Sequence, residues 1–286
     1  MASLFERVAV VGVGLIGGSL ALAARRAGLI GDVTGVGRSE ANLATARARG
    51  IIDRAARDVA AIGPVDLVVL AVPVETTASV ARALVPHLAS GTVVTDVGSV
   101  KGSIVEALEA LLPPSCPFVG THPIAGSERS GAGAAEADLF RGACCVITPT
   151  ARTDARALDR VEALWRGVGA RVRRMAPADH DRALAWTSHL VHALAYTLVA
   201  AIDAEDPNRF ALAGPSLREA TRVAGSLPEL WRDIFLANRT AVSEAIATFS
   251  TQLERLRAAI AAGDGDAIAR RLEAGRAGRR RLESEQ

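Results

Sequence analysis

The chain has 286 residues, half of them hydrophobic but only 3% aromatic, and 33 basic against 31 acidic side chains give a net charge of +2. That length suits one large or two modest domains whose core must be built from Ala, Val, Leu and Ile, and near-neutral charge leaves no footprint for nucleic acid. Cys116, Cys144 and Cys145 form neither a metal-ligand spacing nor an even disulfide set, so a reducing cytoplasm and no metal are expected.

Residues 7–25, RVAVVGVGLIGGSLALAAR, read as a short buried strand over 8–11, a glycine turn and an apolar helix, with Gly12, Gly14 and Gly17 in G-x-G-x-x-G spacing. The first glycine permits the tight turn, the second lets backbone approach a pyrophosphate, and the third lets the helix pack close on the strand. The first helical turn, with Leu15 and Ile16 beside the loop, then offers unpaired N–H groups and a positive dipole end to phosphate. A secretory leader is the rival reading, but glycines at 12, 14, 17 and 18 would break its helix. A nicotinamide or flavin dinucleotide is the expected ligand.

A second strand over 32–37 precedes a helix over 40–49. In NAD-selective folds an acidic residue at the end of this strand accepts from the ribose. Here the strand ends Gly37-Arg38-Ser39 with no carboxylate until Glu40, so Arg38 and Ser39 are expected to favour the 2′-phosphate of NADP over NAD. Residues 65–72, VDLVVLAV, form the continuous apolar run of a fully buried parallel strand, and Val72 and Pro73 at its end are expected beside the cofactor.

Strands over 91–97 and 117–122 repeat the pattern between helical stretches, and two more over 142–149 and 170–175 flank a helix over 154–168. This alternation predicts a parallel sheet with helices on both faces. From Pro177 onward the strand signal stops and three or four helical patterns follow. The division is an α/β Rossmann-like dinucleotide-binding domain over 1–175 and an all-helical domain over 176–286. Within the latter, residues 183–202 lack any formal charge over a length close to bilayer thickness. Thr187, Ser188, His189, His192 and Thr197 make lipid costly, so a helix buried in the protein or across a subunit interface is expected instead of a membrane span. The basic run 276–281 reads as a solvated helix end.

Ligands of open parallel sheets bind beyond the carboxyl ends of the strands, where two polar clusters fall: DVGSVK (96–101) and THPIAGSERSG (121–131). Lys101 is the only lysine in the chain, which suggests a site wanting a compact ammonium, here assigned to the cofactor; a surface lysine left by chance is the alternative. His122, between a strand and a proline, can accept a proton from an alcohol as hydride leaves the same carbon; a turn histidine bonded to backbone is the bland reading. Ser99 could orient that histidine or bond the hydroxyl, or simply cap the helix after Lys101. His189 and His192 share one helix face; without a third ligand cluster metal is not expected, and one of them facing a substrate anion is the reading. Arg222, in a helix beside apolar Val223 and Ala224, needs a partner: a substrate carboxylate, or a salt bridge to Glu128 or Glu219.

In this order, VGVGLIGGSLA, the strand ending AVP, DVGSVKG, THPIAGSERSG, SHLVHALAY and ATRVAGSLPELWRDIFLAN resemble the prephenate/arogenate dehydrogenase family of tyrosine biosynthesis, from residue 8 to about 238. The resemblance implies a Rossmann domain joined to a helical dimerisation domain, as in 6-phosphogluconate dehydrogenases, and a homodimer acting on a small molecule. It makes His122 the hydrogen-bond acceptor for the ring hydroxyl with Ser99 its partner. It also places His192 and Arg222 at the substrate, pairs Glu128 with the substrate-binding arginine, and sets Trp231 near the pocket. The implied reaction is oxidative decarboxylation to 4-hydroxyphenylpyruvate or tyrosine. The chain departs from the family at Gly214-Pro215-Ser216 and at Glu219, which bears on the shape of the substrate pocket. Two readings compete. A 3-hydroxyacid or imine reductase would ordinarily place a lysine or aspartate base on the helical domain, and no lysine follows Lys101; a non-catalytic nucleotide sensor would not need His122, Ser99 and Arg222 to converge.

Overall fold

The computed structural model describes residues 3–127 and 129–284. The chain divides into two compact units, Met1–Arg239 and Thr240–Gln286. The first begins with β1 (Phe5–Val11), α1 (Leu15–Arg26), β2 (Ile30–Val36), α2 (Glu40–Ala48), β3 (Arg54–Ala56), β4 (Leu67–Leu70), α3 (Val74–Leu84), β5 (Val93–Asp96), α4 (Gly102–Leu111), β6 (Phe118–Ile124), β7 (Cys144–Ile147), α5 (Ala155–Gly167) and β8 (Arg171–Arg174).

The eight strands make one sheet in the order β3-β2-β1-β4-β5-β6-β7-β8. The order reverses at β1, which lies between β2 and β4, and the loops leaving β1 and β4 therefore flank the crevice where open α/β sheets bind ligands. Strand β3 went unanticipated because three residues carry no pattern; its pairing with Thr34, Gly35 and Val36 of β2 defines it. The sheet is also not wholly parallel as expected. β7 runs antiparallel to β6, with His122 opposite Val146. Among the described residues the connection between them holds a single short turn at Ala132–Ala134 and no crossover helix, and the chain returns in the opposite sense.

Side chains alternate across the sheet. Val8 and Val10 face α1 and α5 through Leu20, Ala24, Val161 and Leu164. Ala9 and Val11 face the other layer, formed by Ala81 and Leu84 of α3 and Ile104 and Leu108 of α4.

After β8 come α6 (Pro177–Leu184), a wide π-helical turn (Ala185–His189), α7 (Leu190–Glu205), α8 (Pro215–Thr221) and α9 (Pro228–Ala237). Trp231 and Ile234 of α9 join the α3/α4 layer, which fastens this helical part to the sheet. The second unit holds α10 (Arg239–Ala261) and α11 (Gly265–Ser284). Pro177–Glu205 is the one helical stretch among the described residues long and apolar enough to cross a membrane, and 22% of its most apolar window is buried. The expected burial is thus met on one face only: His180, Leu184, Ala185, His189, Leu190 and Ala195 point inward, while Trp186, Val191 and Leu198 are exposed.

Candidate active site

The glycine loop has the geometry its spacing demands. Gly12 adopts φ +98°, and a Cβ there would fall 2.1 Å from Ala71 O. A Cβ on Gly17 would meet Gly12 O at 2.4 Å and Ala71 Cβ at 2.9 Å, so that glycine lets α1 close on β1 and β4. Gly14 faces open space, and as the N-cap of α1 it supplies no side-chain cap, so the first-turn N–H groups are presented outward. These residues fit a dinucleotide pyrophosphate. Leu15, Ile16 and Val72 are half-buried at the same mouth, with Pro73 exposed beside them. At the end of β2, Arg38 and Ser39 are exposed; Ser39 Oγ caps α2 by accepting from Asn42 N at 3.3 Å.

The loop after β6 is tied to this cofactor side. Asn42 Nδ2 donates to Val13 O at 2.7 Å while its Oδ1 accepts from Ala132 N at 2.7 Å. Arg49 donates to Ala135 O at 2.8 Å, and Ser19 Oγ accepts from Glu136 N at 2.8 Å. Glu128, within the same loop, lies outside the described residues.

At the ends of β5 and β6 the structure corrects the expectation for Lys101 and two of the three for Ser99, its cap on α4 and its bond to His122. Lys101 is fully enclosed: its ammonium pairs with Asp96 and donates to Thr121 O at 2.8 Å. It has no surface left for a cofactor and instead staples the end of β5 to β6. Burial pulls its pKa down and the charge of Asp96 opposes that shift. Ser99 neither caps α4 nor reaches His122; it is half-buried and makes no hydrogen bond among the described residues.

The partner of His122 is a residue the sequence reading passed over. His122 Nδ1 lies 2.8 Å from His180 Nε2, and His180 Nδ1 lies 2.8 Å from Asp181 Oδ1. The Asp181 carboxylate also accepts from Lys101 N and Gly102 N, both at 2.8 Å, and so caps α4 from another helix. Burial raises the Asp181 pKa, but the bonds from His180, Lys101 and Gly102 outweigh it and hold the carboxyl below its usual range. For His122, burial first and then the charges of His180, Lys101 and His189 push the pKa well below 6.5, which keeps the ring neutral.

Asn238 extends the network: its Nδ2 donates to Asp181 O at 2.8 Å and lies 3.1 Å from His189 Nδ1. His189 is therefore enclosed instead of facing a substrate anion, and burial lowers its pKa to about 4. Its ring meets Trp231 edge-on at 6.1 Å, and His192 stacks on the same indole at 3.4 Å. His192 is half-buried and Arg222, on the single turn Arg222–Gly225 after α8, is exposed, so the expected apolar helical setting for this arginine is not what the chain adopts. Burial lowers the His192 pKa, the bond with Ser188 O at 3.0 Å opposes that shift, and the Arg222 charge adds to it.

Two family models cover most of the chain: "Prephenate dehydrogenase, nucleotide-binding domain" matches residues 20–174 and "Prephenate dehydrogenase, dimerization domain" matches residues 176–274. The chain belongs to the prephenate dehydrogenase family. It is 38% identical to the cyclohexadienyl dehydrogenase of Zymomonas mobilis over 92% of both chains. The crystal structure of prephenate dehydrogenase from Aquifex aeolicus with hydroxyphenyl propionate and NAD+ superposes with a TM-score of 0.92 at 35% identity, covering 97% of this chain and 98% of that one. Synechocystis arogenate dehydrogenase superposes at 0.83 with 31% identity over 97% and 100% of the two chains. Enzymes of this family are NAD-dependent oxidoreductases, and the match to their nucleotide-binding domain runs from within α1 to the end of β8.

His180 and Asp181 escaped notice because Asp179, His180, Asp181 and Arg182 in a row look like a solvated helix start. The signal was present in the spacing. His180 lies four residues before Leu184, and Asp181 four before Ala185, so both sit on the buried face.

Proposed function

We propose that this chain oxidatively decarboxylates prephenate or arogenate, with NADP preferred over NAD, as a homodimer working in the cytoplasm. The dinucleotide-binding and helical parts would divide near residue 175. The observation that carries the reaction is His122 at the carboxyl end of β6: neutral, bonded at Nδ1 and with no hydrogen bond at Nε2 among the described residues. The bound dinucleotide would supply the hydride acceptor. His122 takes the ring hydroxyl proton at Nε2 as the C–H bond at the same carbon breaks, and loss of the ring carboxylate as CO2 makes the ring aromatic. Aromatisation drives the step, so the chain's main task is orientation. Arg222 would bind a carboxylate of the substrate, beside His192 held flat against Trp231.

The cofactor preference rests on the end of β2. No carboxylate stands at Gly37, while Arg38 and Ser39 are exposed and Arg57 donates to Arg38 O at 3.2 Å from the end of β3. Glu40, the nearest acid in sequence, lies 3.8 Å from Arg57. A homodimer is supported by the exposed apolar side chains Trp186, Val191 and Leu198 on α7 and the turn before it, within the region that matches the dimerization domain.

Steady-state kinetics with each substrate and each cofactor test the reading. Turnover of prephenate or arogenate, with kcat/KM for NADP above that for NAD, is expected. The double change Gly37→Asp with Arg38→Asn should move selectivity toward NAD; a Cβ at Gly37 comes no nearer than 3.4 Å to Leu43, so the site has room. A clear preference for NAD in the unmodified chain would refute the cofactor assignment, and absence of turnover with both substrates would refute the reaction.

A further inference from the structure

The Asp181–His180–His122 row fixes proton positions by elimination. Asp181 Oδ1 accepts Lys101 N–H and Oδ2 accepts Gly102 N–H, which leaves the carboxylate purely an acceptor toward His180 Nδ1. His180 must then carry its proton on Nδ1 and present a lone pair at Nε2. The only hydrogen that can fill the 2.8 Å gap to His122 is one on His122 Nδ1. His122 is thereby confined to the tautomer whose Nε2 is an open acceptor, and second-neighbour bonds of this kind set which imidazole nitrogen reacts.

We propose that His180, backed by Asp181, is the positioning residue for the base His122 and the place where the abstracted proton's charge comes to rest; this rests on the reading of His122 as acceptor of the ring hydroxyl proton. The substrate O–H bond breaks as an N–H bond forms at His122 Nε2. The His122 Nδ1–H bond breaks as an N–H bond forms at His180 Nε2. One proton has entered, His122 is neutral again in its other tautomer, and His180 is the imidazolium against Asp181.

The surroundings favour that endpoint. Facing His122 are Lys101 from the turn before α4, paired with Asp96 of β5, Cys145 of β7, His180 of α6 and His189 of the π turn. Lys101 and the histidines disfavour a cation on His122, whereas His180 has a carboxylate oxygen at 2.8 Å. The fold also reserves room for the carboxylate: a Cβ at Gly102 would come within 2.8 Å of Asp181 Oδ2.

The test is His180→Gln beside His122→Asn and the double variant. A glutamine oxygen can still accept from His122 Nδ1 but cannot take up a proton. His180→Gln should keep cofactor Kd and substrate KM within about twofold while kcat falls about a hundredfold or more, in the range of a general-base contribution. The acid limb of kcat/KM should rise but stay below the ordinary histidine range, because burial, the leading cause of the low His122 pKa, is unchanged. The double variant should be no slower than His122→Asn alone. Unchanged kcat in His180→Gln, or losses in the two single variants that multiply in the double, would overturn the relay. Full turnover in His122→Asn would instead overturn the assignment of the base itself, so the two failures are separable. Should His180→Gln not fold, 15N NMR of the histidine rings in the unmodified protein decides: His122 and His180 both protonated at Nδ1 supports the proposal, and His122 protonated at Nε2 refutes it.

Discussion

An ammonium and a carboxylate enclosed together at the ends of two strands form a costly pair to break. Lys101 and Asp96 are buried, and the lysine also donates to Thr121 O. Changing Lys101→Met leaves Asp96 without its cation, held only by Gly98 N at 2.8 Å and Thr121 N at 3.3 Å. Removing one partner of a buried pair typically costs about 3–5 kcal/mol. Urea unfolding of Lys101→Met should show a loss in that range, and a loss below about 1 kcal/mol would show that the two N–H bonds suffice. The residue's rarity in an arginine-rich chain was readable as a demand for a compact ammonium, but that demand comes from an interior pocket and not from a phosphate. Sequence distinguishes the two poorly, because both place a lysine just past a strand end.

Among the elements, α4 depends on a carboxylate borrowed from α6. Its N-cap residue, Lys101, contributes no side-chain bond, and Asp181 satisfies the N–H groups of Lys101 and Gly102 instead. Gly102→Ala would push a methyl group to 2.8 Å from Asp181 Oδ2. Overpacking of this kind costs about 1–3 kcal/mol, and because the same carboxylate holds His180, turnover should fall with it while cofactor binding at the glycine loop stays intact. Calorimetry and kcat measured on one preparation check this; a variant of normal stability and normal kcat would mean that Asp181 shifts freely. The glycine loop, β1, β2, β4, β5, β6 and their helices were legible because period and turn chemistry coincide there, as in Val8–Val11 followed by Gly12. The cap on α4 was not legible, since its donor and acceptor lie 79 residues apart. The same holds for the antiparallel β7, whose direction goes with a connection lacking a crossover helix among the described residues and not with any residue in Cys144–Ile147.

At the scale of the molecule, the fold keeps several histidines neutral, and that couples stability to pH. His122 is held well below 6.5, His189 at about 4, and His192 is lowered as well, burial being the leading cause for each. In the unfolded chain these rings titrate near 6.5. Between 6.5 and the folded values the unfolded state therefore binds more protons, so stability rises with pH, is complete above about 6.5, and is lost as pH falls through the window toward 4. A ring whose folded pKa lies well below 6.5, as for His122 and His189, contributes a slope of up to about 1.4 kcal/mol per pH unit. The carboxylates held low, Asp181 and Asp53, act in a lower window, losing their contribution only as pH falls below about 4. Urea midpoints taken at fixed protein concentration from pH 7.5 to 4.5 should fall steeply below pH 6.5. His189→Gln, which keeps an acceptor for Asn238 Nδ2 but cannot ionise, should flatten the profile by about one ring's slope. A profile flat between pH 7 and 5, or one that His189→Gln leaves unchanged, would show that water reaches these rings and that they take up protons within the folded chain.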